Sequence, residues 1–207
     1  MKKIIAVLLV TLFSFSVVYG WGELSANYWK RAKKAETEAL DTTNGLSDED
    51  RSAKFEEAAK YFKKVVKSSP EFVSAYYSLA NMEYRVDNVD GAIEWYVKSL
   101  AQTPTTYAYL QIGTSYLRKS TASKIDAQKK EFKSQAKKYF EKGLKTEESD
   151  MEKEESVKKN QASIYYNLYI IYFEEENWTQ AENAALNAMV HPDFEETMST
   201  QLIQIYQ

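Results

Sequence analysis

Residues 73–106 read VSAYYSLANMEYRVDNVDGAIEWYVKSLAQTPTT, and two patterns inside this stretch decide the fold. In its first half Tyr76, Leu79 and Ala80 fall at offsets of three and four, the spacing of one face of an α-helix. In its second half Ala92, Tyr96 and Leu100 repeat at four, and Pro104 follows eight residues after the ring of Tyr96. A small residue one turn from a large one leaves a gap on one helix for a knob from its neighbour. The stretch therefore reads as a helical hairpin.

The same pattern recurs along the chain at an offset of 34. Ala58 to Ala92 is 34 residues, and so is Pro70 to Pro104. Ala58 with Phe62 repeats the small-then-ring pair, and Ala136 with Phe140 repeats it without the proline. Ahead of these pairs stand related first-helix patterns, Tyr109-x2-Ile112-Gly113-x2-Tyr116 and Tyr165-x2-Leu168-x3-Tyr172. A further second helix carries Ala181, Ala185, Ala188 and Met189, with alanine where the ring is expected and Pro192 one residue early.

These spacings resemble the tetratricopeptide repeat, a 34-residue helix-turn-helix unit with a W-x2-L-G-x2-Y first helix and an A-x3-F second helix ending near proline. The resemblance extends over residues 48 to 193, and Val73 to Thr106 matches best; it departs at Glu83, where the family has an aromatic. It implies an all-α, right-handed superhelical solenoid of about four hairpins (23–70, 73–106, 107–148 and 162–193) with a capping helix at 194–207. Terminal repeats of such arrays are commonly atypical, and the first unit fits: a helix of about 23–40 around Tyr28 and Trp29, a turn at Asn44-Gly45, and Ser47 with Asp48, Glu49 and Asp50 as an N-cap.

The repeat has two interruptions. Gly113 to Ala136 is 23 residues where Ala80 to Ala92 is 12, and Ala136 to Tyr169 is 33 where Ala58 to Ala80 is 22. Each adds eleven residues, close to three helical turns, so each can lengthen a helix with its apolar stripe nearly in phase. The first predicts one long helix from about Thr121 to Thr146. Its polar face is basic through Lys124, Lys129, Lys130, Lys133 and Lys137, and six acids follow within residues 146–155. A solvated helix before an acidic loop is one reading, and a docking face for an acidic partner or membrane surface is the other.

Composition bounds the chemistry. The 207 residues include no Cys and one His, with 16 Tyr, 9 Phe and 4 Trp. Disulfides, thiolate metal sites and cysteine nucleophiles are excluded, as is any site needing two imidazoles. No phosphate loop, nucleophile elbow or metal-ligand cluster is present, so neither catalysis nor a cofactor is expected, and His191 beside Pro192 reads as a helix-end cap. A net charge of −3 disfavours nucleic acid as a partner. Residues 1–20, MKKIIAVLLVTLFSFSVVYG, have the charged start, short apolar core and small last residue of a secretory signal peptide cleaved after Gly20, with an uncleaved anchor as the alternative. Their bacterial character places the expected protein in the periplasm or outside the cell.

In the family resembled, the first helix of each hairpin lines a concave groove. Carried onto this chain, the resemblance assigns that groove to Tyr77, Asn81, Tyr84 and Arg85, to Leu110, Thr114 and Arg118, and to Tyr166, Ile170 and Phe173. The expected function is a non-enzymatic adaptor gripping a segment of another envelope protein. The alternative is a receptor closing the same aromatic surface on a small molecule or glycan.

Overall fold

In the computed structural model, residues 22–146 and 152–205 are described, so the signal-like segment 1–20 lies outside them. Every regular element among them is helical: α1 (22–40), α2 (Asp48–Ser68), α3 (Val73–Arg85), α4 (Val89–Gln102), α5 (Thr106–Ala122), α6 (Asp126–Leu144), α7 (Glu154–Glu174), α8 (Trp178–Ala188) and α9 (Pro192–Ile205). The chain divides after Gly91 into two compact units.

In the first unit α1 and α2 run antiparallel. Ser25 Oγ lies 2.6 Å from Ser68 Oγ at one end, and Arg51 Nη1 donates to the carbonyl of Ala39 (2.6 Å) at the other. The two elements are joined as the sequence predicts. Gly45 adopts φ +71°, a left-handed turn that suits a residue without Cβ, and Ser47 Oγ accepts from Asp50 N–H at 3.1 Å to cap α2. The core gathers Phe55, Phe62 and Val65 of α2 with Tyr76, Leu79 and Met82 of α3. Burying each such side chain is worth roughly 1.5–3 kcal/mol. Trp29 of α1 seals it, edge-on to Phe62 at 5.2 Å.

Glu83, the departure from the family pattern, is 4% exposed. Its carboxylate meets Lys63 Nζ at 2.6 Å and accepts from Asn88 Nδ2 at 2.7 Å. Asn88 in turn accepts the Gly91 N–H through Oδ1 (3.1 Å), which caps α4. The missing aromatic is thus replaced by a paired acid that fixes the turn leaving α3. That turn has a twin after α7. Asp87 (φ +64°) and Glu176 (φ +55°) both take the left-handed conformation, and Asn88 and Asn177 both donate N–H back six residues' span to Glu83 and Tyr172, at 2.9 Å each.

In the second unit α5 packs on α6, α7 on α8, and α9 against α8 and α7. Gly113 allows the closest approach: a Cβ there would fall inside the ring of Phe140, which is fully buried. The single long helix expected from Thr121 to Thr146 is not formed. α5 instead runs to Ala122, Ser123 turns extended (ψ 141°), and α6 starts at Asp126. Ser123 Oγ accepts from Ile125 N–H at 3.1 Å, a local bond that competes with the helical ladder where the apolar stripe is interrupted. The eleven added residues are therefore divided between α5 and α6. The second insertion lengthens α7 to 21 residues, against 13 in α3, and its preceding loop returns to α5. Glu152 accepts the N–H groups of Thr106 (2.7 Å) and Tyr107 (2.9 Å), a carboxylate on the positive end of a helix.

Two stability changes follow. Gly113→Val overpacks the Phe140 contact and should cost about 1–3 kcal/mol in denaturant unfolding, with Phe140→Leu restoring part of the loss in the same background. Glu152→Ala removes the cap on α5 and should cost about 1–2 kcal/mol, more than Glu152→Gln, whose single acceptor oxygen keeps one of the two bonds.

Candidate functional site

In the first unit, α3 carries Tyr77, Asn81 and Tyr84 at offsets of four and three, all half-buried, with Arg85 exposed beside them. Arg85 lies over the ring of Phe55, its Cζ 5.9 Å from the centroid. These four residues share one helix side.

In the second unit the expected inner surface is largely taken up by packing. Leu110 belongs to the core: it is 7% exposed and clusters with Ala136, Phe140 and Ile164, because α5 is packed by both α6 and α7. Tyr166 is covered by the chain itself, its ring 5.6 Å from Phe194 of α9. Phe173 lies 5.6 Å from Tyr169 and edge-on to Trp178 at 5.3 Å. Ile170 packs on the same core. Thr114 is half-buried and donates Oγ1–H to the carbonyl of Leu110 (2.9 Å), one turn back. Arg118 is half-buried. The resemblance places the α7 residues on an open wall, whereas the final helix folds back over them.

On the basic face of α6, three lysines are engaged in ion pairs. Lys133 pairs with Glu174 (2.6 Å) and Lys137 with Glu175 (2.8 Å), so both bind α6 to the acidic end of α7. Lys129 pairs with Asp126 at 3.0 Å within its own helix. Lys124 and Lys130 remain exposed.

A cleft that sequence reasoning missed lies beside the added turns of α7. Its volume is about 470 Å³, and it opens between Glu155, Lys158, Gln161, Ala162 and Tyr165 of α7 and the turn Asn187, Val190, His191 and Pro192. The longer α7 overhangs the point where α8 ends and α9 begins. The unexplained eleven residues between Ala136 and Tyr169 were the available signal, since only a lengthened α7 creates this overhang. The lining is an apolar floor of Ala162, Tyr165 and Pro192, with Val190 at the mouth beside polar side chains. Val190 is 83% exposed.

The rim is electrostatically settled. Lys158 pairs with Glu154 at 2.6 Å, and Lys159 with Asp193 at 2.6 Å across to α9. The donated hydrogen bond from Lys159 holds the Asp193 carboxyl below its ordinary value, and Lys158 does the same for Glu154. His191 Nδ1 accepts the Asp193 N–H at 3.2 Å, the capping role expected of it. Among the described residues no cluster of three or more His, Asp or Glu could hold a metal. The arrangement is suited to recognition of an apolar group with polar edges.

Comparison with known proteins bears on the fold. Residues 47–105, which span α2 to α4, match the tetratricopeptide repeat family. The structure is similar to a thermophilic tetratricopeptide-repeat protein of Thermus thermophilus, with a TM-score of 0.58 and 16% identity over 88% of this chain and 81% of that one. It is also similar to BtubC of P. vanneervenii, with a TM-score of 0.45 and 15% identity over 90% of this chain and 83% of that one. No curated protein matches in sequence.

The lowered carboxyls of Asp193 and Glu154 set a pH dependence. Because each folded-state value lies below the unfolded one, their stabilisation is complete above the ordinary carboxylate range and is lost as pH falls through the folded value. The melting temperature should therefore drop below about pH 4, and Asp193→Asn should flatten that drop while lowering the melting temperature at neutral pH.

Proposed function

We propose that this tetratricopeptide-repeat chain is a non-enzymatic adaptor of the bacterial cell envelope that binds a segment of another protein. Repeats of this family are commonly protein-interaction scaffolds. The observation that carries the reading is Val190: an aliphatic side chain 83% exposed at the mouth of a cleft floored by Tyr165, Ala162 and Pro192. A partner side chain laid on that floor removes apolar area from water, and Gln161 and the acceptor oxygen of Asn187 at the rim can meet its backbone. One N–H of Asn187 Nδ2 is given to the carbonyl of Asn183 at 2.7 Å, which leaves its oxygen and its second N–H for a partner. In the first unit Tyr77, Asn81, Tyr84 and Arg85 form a separate contact edge, suited to an apolar segment ending near an acid. Export rests on the charged, apolar and small-residue sequence of residues 1–20.

A small-molecule or glycan receptor is the second reading, favoured by the cleft's volume of about 470 Å³, inside the range of roughly 300–1,000 Å³ usual for ligand sites. The two are separated by placing a photocrosslinking side chain at Asn187 in cells. The adaptor gives a discrete protein adduct, and Val190→Asp weakens capture of that protein about tenfold or more with an unchanged melting temperature. Absence of any adduct, alongside saturable heat with a metabolite fraction, would establish the receptor instead.

A further inference from the structure

The end of the first unit where α1 begins and α2 finishes combines cations, tyrosines and exposed apolar side chains that neither partner edge uses. Tyr28 and Tyr61 stack at 6.4 Å between the two helices. Lys64 Nζ lies 5.0 Å from the first ring and 5.3 Å from the second. Arg31 sits 5.7 Å over Tyr61 and donates to its hydroxyl at 3.4 Å. Lys60, Lys64 and Lys67 occupy one edge of α2 at offsets of four and three, and all are exposed.

None of these cations has a carboxylate partner among the described residues. Glu38 and Glu57, farther along the hairpin, are held by Lys54 at 2.7 Å and 3.3 Å, whereas Glu23 and Glu71 are exposed at this same end and leave the cations in excess there. The same end exposes apolar groups. Leu24 is 51% and Phe72 39% exposed, and between α1 and the end of α2 an apolar cleft of about 380 Å³ opens over Ala26, Trp29 and Val65.

Where residues 1–20 are retained, as in the anchor alternative to cleavage, the apolar stretch Ile4 to Val18 precedes α1 in the sequence. At 1.5 Å per residue, Tyr28 lies about 9 Å and Arg31 about 13 Å along the helix from Gly22. The Debye length at physiological ionic strength is about 8 Å, so these charges act on a surface where this end of the hairpin lies directly against it. Unpaired cations, amphipathic rings and projecting aliphatic groups at one end are the composition of an interfacial contact.

We propose that this end of the α1–α2 hairpin docks on an anionic bilayer surface, with Arg31, Lys60, Lys64 and Lys67 on lipid phosphates and Leu24 and Phe72 among the headgroups. Matched acids lie toward the opposite end of the hairpin, so the contact also fixes which end faces the lipid. This stands independently of the partner-binding reading, which uses other residues.

The test is sedimentation of the full chain with vesicles of phosphatidylcholine alone and with phosphatidylglycerol added. Binding to neutral vesicles records the contribution of residues 1–20, and the anionic increment records the patch. We expect the increment to vanish in high salt and to fall on the order of tenfold or more in Arg31→Glu/Lys64→Glu, as removal of roughly 1 kcal/mol per surface cation requires. Lys124→Glu/Lys130→Glu makes the same change in net charge in the turn before α6 and its first turns, and should leave the increment intact. Should the charge reversal lower the melting temperature, Arg31→Gln/Lys64→Gln repeats the comparison with a smaller loss. Equal binding to both vesicle types, or an increment lost only in the α6 variant, overturns the proposal. So does salt-dependent binding of polyglutamate without an anionic increment, which would assign the patch to an acidic polypeptide.

Discussion

A helix pair can close only as far as its side chains permit, and in this chain the distance is set by small residues opposite rings. Gly113 receives Phe140 so closely that no side chain could stand there, and Gly143 has Ile164 Cδ1 2.7 Å and Tyr109 Cβ 3.0 Å from where its Cβ would be. Ala58 and Ala136, each 0% exposed, serve the same purpose on α2 and α6. Without such gaps the rings would hold the helices apart and expose the aliphatic core. A chain with no cysteine depends on this packing, because no covalent link compensates for its loss.

Polar groups then decide where helices start, stop and turn. Glu83 and Glu152 show the same device at two scales. One reaches Lys63 and Asn88 to hold a turn; the other spans 46 residues to satisfy the first N–H groups of α5. Glu83 binds the side-chain donors of Lys63 and Asn88, and Glu152 binds backbone donors that a helix start leaves unpaired. Glu152, just ahead of α7, is thereby tied to the start of α5, and the extra turns of α7 line the cleft. Structure and recognition surface thus come from one insertion.

The functional surface was only partly legible beforehand. The family resemblance carried onto α3 named Tyr77, Asn81, Tyr84 and Arg85 together, and their spacing puts them on one side of that helix. On α7 the same resemblance named Tyr166, Ile170 and Phe173 as a set, but it could not say that α9 would lie across Tyr166 or that Trp178 would stand against Phe173. Likewise the lysines of α6 read as one basic face because Glu174 and Glu175 are nearly forty residues away in sequence. Val190 and His191 drew attention only as neighbours of a proline, since a cleft made by a turn and a distant helix has no local pattern.

What the amino-acid order settles by itself is therefore local and periodic: nine helical segments among the described residues, the 34-residue return of small residue and ring, the Ser47 cap and the turn at Gly45. Each depends on neighbours within a few positions or on a spacing repeated along the chain. Tertiary structure alone decided the burial of Leu110, the pairing of Lys133 and Lys137, and the overhang of α7. These depend on which helix arrives from far along the chain to pack against a given face, and a side chain's own periodicity carries no information about that arrival.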